Sequence, residues 1–185
     1  MGIFIAFAPF IVFALLSGLS LGLALWAGLA ASFVVGIRDF IQSKALRVLD
    51  IGGMALFILV ALFIGFVEPQ LKAPTVRLVI SSGFFLMTAA SLIRRAPVTL
   101  AYAREFAPKE MWAAPSFIRG NYIVTAAWTL AFAVTAVFDA IANFDNTFPE
   151  SLEIAATLAA LTLAVGFTAR YRALAPARRP QAFRW

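Results

Sequence analysis

The sequence predicts an all-α fold: a polytopic membrane helix bundle of five transmembrane helices, preceded by an N-terminal re-entrant or interfacial half-helix. Three observations predict it. Of the 185 residues, 63% are apolar and only 13% are charged, against roughly 45–50% and about 25% in an average soluble domain, and a chain this size has too little interior to hide the excess from water. The apolar runs have bilayer length, since about 20 residues rising about 1.5 Å each cross a hydrocarbon layer of roughly 30 Å. Alternate loops between the runs are strongly basic, the pattern that the positive-inside rule describes.

The first stretch, Met1 to Ile37, holds no charged side chain. As helix it would measure about 55 Å, too long for one untilted crossing and slightly short for two. Ser17-Gly18-Leu19-Ser20 gathers helix-weakening residues and divides it. The piece over 3–16 contains Pro9 and is about 21 Å long, so it dips into the bilayer or lies near one face. The piece over 19–37 spans; six spans is the alternative count. No Lys or Arg precedes the apolar stretch and no small-residue cleavage site follows it, so a cleaved signal peptide is not expected.

Four further spans are bounded by charge, over 51–67, 75–93, 117–142 and 152–169. Together with an interfacial loop over 94–116 and a basic tail over 170–185, they read as one integral-membrane domain covering 1–185. Arg38, Lys44 and Arg47 sit in the first loop, Arg94, Arg95, Arg104, Lys109 and Arg119 in the third, and Arg170, Arg172, Arg178, Arg179 and Arg184 in the tail. The second loop carries Lys72 and Arg77 with Glu68, and the fourth Asp139, Asp145, Glu150 and Glu153 without a base. The positive-inside rule therefore places the first and third loops and the C-terminus in the cytoplasm and the N-terminus outside. The net charge of +6 serves that anchoring and contact with anionic headgroups on the cytoplasmic side; nucleic acid is not an expected partner.

Small residues recur at four-residue spacing: Gly18 and Gly22; Gly28, Ser32 and Gly36; Ala127, Ala131 and Thr135; Ala156, Ala160 and Ala164. Such faces let helices approach closely in lipid, here within one bundle in the first place, with a homo-oligomer the second reading. The interior is expected to be chemically quiet. No ionisable residue falls at the centre of a span, and Asp139, one turn past Thr135, is expected to reach the interface rather than line a pocket with Asn143.

The third loop is the most informative. Pro97 stops the third span, and Val98, Tyr102 and Phe106 then recur every fourth residue with Arg104 and Glu105 turned elsewhere, a short amphipathic helix in the membrane surface. Trp112 follows at headgroup depth. This stretch reads either as a connector whose arginines meet lipid phosphates or as a docking face on which Arg94, Arg95 and Arg104 hold a phosphate or a carboxylate. Asn121 and Trp128 lie within the next span, and an amide there usually pairs with another helix.

These residues resemble the intracellular septation protein A family, the IspZ/YciB-type inner-membrane proteins of Gram-negative bacteria. The resemblance rests on Phe7-Ala8-Pro9-Phe10-Ile11-Val12-Phe13 before the first full span, Arg94-Arg95-Ala96-Pro97 after the third, and Arg119-x-Asn121 followed by Trp128 in the fourth. It implies a five-span protein of envelope maintenance and cell division that acts through contacts with other membrane proteins, with no catalytic residues to carry over.

With no histidine and no cysteine, disulfides, His or Cys metal sites and Ser-His or Cys-His nucleophiles are excluded, and no cofactor or metal is expected. The candidate interaction and lipid-binding residues are Arg94, Arg95, Pro97, Tyr102, Arg104, Trp112, Arg119, Asn121 and Trp128. Three classes of function stay open. A non-enzymatic scaffold is favoured. A small passive transporter or channel predicts a polar path past Ser17, Ser20, Ser32, Thr125, Thr129 and Thr135. A lipid-modifying enzyme predicts Arg94, Arg95 and Arg104 converging with Glu105 or Glu110.

Overall fold

The computed structural model describes Ile5 and residues 7–43, 47–68 and 70–174. Lys44 and the arginines and Trp185 of the tail beyond 174 lie outside the described residues. Seven α-helices follow one another, with no strand among the described residues: α1 (Ala8–Ser17), α2 (Leu21–Ser43), α3 (Val48–Phe66), α4 (Ala73–Ile93), α5 (Val98–Glu105), α6 (Pro115–Phe144) and α7 (Glu150–Leu174). A single 3-10 turn, Lys109–Met111, separates α5 from α6. The helices α2, α3, α4, α6 and α7 are long and apolar enough to cross a membrane, so the five expected spans are present.

Their ends follow local chemistry. Ser17 closes α1, and Ser20 opens α2 by accepting the Leu23 N–H on its side-chain oxygen at 3.4 Å. Helix α4 ends where Arg95 takes a left-handed backbone conformation, φ 57°. The Arg95 N–H donates to the Leu92 carbonyl at 3.1 Å and the Ala96 N–H to that of Ser91 at 2.9 Å, the double bond pattern that normally has glycine at this position. Pro97 then starts α5 in a new direction.

Helix α6 packs most extensively on α4 and next on α7, while α1 lies along α2 and also touches α4 and α7. The half-helix α1 is therefore not interfacial: it is seated inside the bundle. Its Phe7, Phe10, Phe13 and Ala14 are buried with Phe57 of α3, Phe84 of α4, and Trp128 and Phe132 of α6. Phe10 meets Phe132 edge-on at 4.8 Å and Phe84 at 5.2 Å, the offset geometry aromatic rings prefer. At about 15 Å of helix, α1 fills one half of the bundle's depth and its aromatic rings close the middle.

The small-residue faces divide. Gly28 lies against Phe57, where an added Cβ would come within 2.5 Å of the ring, whereas Gly22 faces open space. Gly28 thus serves close packing within the bundle.

Candidate functional site

The two ends of the bundle differ in chemistry. At the basic end, the end of α2 and the start of α3 meet α5 through Arg47. Arg47 donates to Asp39 at 2.7 Å and to Glu105 at 3.1 Å, and Arg38 pairs with Asp39 at 2.7 Å. The Arg47 guanidinium also lies over the Tyr102 ring, 4.2 Å from its centre. Tyr102 in turn donates its hydroxyl to Asp50 at 2.6 Å, and Asp50 accepts the Arg47 backbone N–H at 3.0 Å at the start of α3. Burial and then the negative charge of Asp50 hold the Tyr102 phenol protonated well above its ordinary range.

Helix α5 is therefore bound to protein, not laid on lipid. Its Val98, Thr99 and Tyr102 face the bundle, and of the Val98, Tyr102 and Phe106 row only Phe106, past the last turn, is exposed, at 58%. The Thr99 hydroxyl donates to the Asn121 carbonyl at 2.9 Å and meets the Thr125 hydroxyl at 2.8 Å, which ties α5 to α6. The Asn121 amide donates within α6, to Phe117 at 2.9 Å. Trp128 is fully buried and donates its indole N–H to Thr168 of α7 at 3.1 Å.

Of the nine candidate residues, Pro97, Tyr102, Asn121 and Trp128 are buried inside the bundle, while Arg94, Arg95, Arg104 and Arg119 are exposed. Arg104 lies over Trp112, 5.6 Å from the ring centre, and the half-buried Trp112 donates its N–H to Ala107 at 3.1 Å. The exposed arginines do not converge with a carboxylate on one pocket: Glu105 is held by Arg47 and Glu110 is exposed. Nor do the span hydroxyls line a path. Ser17, Ser32, Thr129 and Thr135 each donate back to a carbonyl of their own helix, and Ser20 caps α2.

The acidic end overturns the expectation of a quiet interior. Asp139 is 1% exposed, not interfacial, and accepts from Ser81 of α4 at 2.5 Å. Asn143 pairs instead with Thr75, at 2.6 Å. Arg77, 5% exposed, donates to Glu150 of α7 at 2.7 Å and to the Ser17 carbonyl at the end of α1 at 3.4 Å. Its Nε lies 2.8 Å from Glu153, which is 1% exposed; that N–H points aside, so the contact is an ion pair without a hydrogen bond. Arg77, Asp139 and Glu153 border a cavity of about 10 Å³, enough for a single water. At the exposed rim, the Thr147 hydroxyl and N–H hold the Asp145 carboxyl below its ordinary range.

Sequence reasoning missed both charged clusters because each member lies within about a turn and a half of a helix end, where a charge ordinarily reaches the interface. A signal was present. Arg77 and Ser81, Thr135 and Asp139, and Glu153 and Thr157 each place two polar residues four apart, on one face of three separate helices, and all six are buried. No family profile, curated protein or solved structure matches the chain.

Proposed function

We propose that this multi-pass membrane protein is a non-enzymatic component of a bacterial inner membrane, acting in envelope maintenance or septation through contacts with other membrane proteins. The basic end is cytoplasmic in this reading, with the N-terminus periplasmic and the C-terminus cytoplasmic. One observation carries it: Arg94, Arg95, Arg104 and Arg119 are exposed around the basic end, while Ser32, Thr129 and Thr135 are spent on carbonyls of their own helices. Exposed cations beside Trp112 and Phe106 suit anionic headgroups and a partner's carboxylates. The aromatic layer of Phe10, Phe84 and Phe132 across the middle speaks against a passive channel.

The test is photo-crosslinking in native membranes from Phe106 and Trp112, since Tyr102 is buried and would capture its own bundle. Identified division or envelope-assembly proteins, captured alongside headgroups, support the reading, and capture of lipid alone counts against it. The chain has no cysteine, so single cysteines at Arg94 and Thr147 report topology cleanly. A membrane-impermeant thiol reagent added to intact cells, with the outer membrane permeabilised, is expected to label position 147 and spare position 94; the reverse pattern sinks the orientation.

A further inference from the structure

The buried cluster at the acidic end is one positive charge short. Its fully enclosed ionisable groups are Arg77 from α4 and the carboxyls of Asp139 from α6 and Glu153 from α7. Helix α1, which covers the cluster, contributes only the Ser17 carbonyl. Ser81, Thr135 and Thr157 are neutral, and Glu150, 62% exposed, adds a further negative charge and takes up one side of the Arg77 guanidinium. Two ionised carboxylates against one guanidinium would leave a net negative charge where burial makes an uncompensated ion very costly.

The hydrogen bonds show the same shortfall. Asp139 and Glu153 line the same water-sized cavity, together with Arg77. Yet among the described residues no group directs a hydrogen bond at Oδ1 of Asp139 or at either carboxylate oxygen of Glu153, all fully buried, and Glu153 has only its 2.8 Å ion pair with Arg77. Two bare carboxylates facing one another across so small a space repel, whereas one proton shared between them allows an O–H···O⁻ bond. We infer that Asp139 and Glu153 form a proton-binding pair: one proton taken from water is covalently bound to a carboxyl oxygen of one and hydrogen-bonded to the other, and it restores charge balance with Arg77. Glu150 at the rim offers the route in from the acidic end. Because Arg77 also donates to Ser17, proton occupancy is coupled to the seating of α1.

Infrared spectroscopy of the purified full-length protein in lipid nanodiscs tests this. A protonated-carboxyl C=O band, shifted in deuterated water, is expected at neutral pH. It should be lost alike in Asp139→Asn and Glu153→Gln, since each leaves a single carboxylate facing Arg77. Alkaline titration of the native protein should release one more proton per chain than titration of either variant. A wild-type protein without the band overturns the proposal whether or not the variants fold, as does a band that survives both substitutions. A melting temperature raised by sodium over choline at fixed pH also overturns it, since sodium would then be the missing charge.

Discussion

Phe7 lies flat against Trp128, with ring centres 4.1 Å apart and planes 19° apart, and the same indole is hydrogen-bonded to Thr168 of α7. One stacked pair thus fastens α1 to α6, and one hydrogen bond passes that anchorage on to α7.

Removing the stack should loosen α1 as a unit. Phe7→Ala opens a cavity in a packed aromatic cluster and is expected to cost about 3 kcal/mol, read as a lower melting temperature in detergent. Trp128→Phe keeps a ring but forfeits the N–H bond to Thr168, at about 1 kcal/mol. Equal losses for the two would mean that the stack does not anchor α1.

Glycine positions separate close packing from lipid exposure. Gly28→Ala drives a methyl group into the Phe57 ring and should destabilise by about 2 kcal/mol. Gly22→Ala meets nothing within 4 Å and should leave the melting temperature unchanged. A penalty at Gly22 in membranes that vanishes on dilution would instead reveal contact between copies of the chain.

At the basic end, Tyr102→Phe leaves the Asp50 carboxylate without its phenol donor, at a cost of about 2 kcal/mol. The pH dependence has a definite sign. The unfolded chain gives up this proton near pH 10 or so, while the folded protein holds it to higher pH. The contribution of Tyr102 is therefore complete below about pH 10 and lost as pH rises above it. Melting temperatures measured from about pH 9 to about pH 11 should fall more steeply for the native protein than for Tyr102→Phe, and parallel slopes would contradict the assignment.

The link between α5 and α6 runs through Thr99 rather than the Asn121 amide. Thr99→Val removes the second bond on the Asn121 carbonyl and the partner of the Thr125 hydroxyl and should cost about 1–2 kcal/mol. Asn121→Leu removes a bond internal to α6 and should cost less. The reverse order, measured by chemical unfolding in detergent, would show that the amide bridges helices after all.

Arg95 occupies a left-handed position that disfavours any side chain. Arg95→Gly should stabilise the fold by about 1 kcal/mol while weakening adsorption to anionic vesicles. The two effects have opposite signs, and a variant that is both weaker-binding and less stable would refute the role of Arg95 as the helix-ending residue.

The sequence by itself determined the five spans, the break at Ser17 to Ser20, the stop at Pro97 and the separation of basic from acidic loops. These are local quantities: apolar run length, helix-breaking residues and charge at helix ends act within a few turns and can be read without knowing which helix touches which. Tertiary structure alone decided that α1 is buried, that Tyr102 faces Asp50, and that Arg77, Asp139 and Glu153 meet. Each of those three charges, taken on its own helix, stands near enough to an end to be solvated. Only the lateral packing of α4, α6 and α7, with α1 drawn across them, removes the water and leaves the charges to one another.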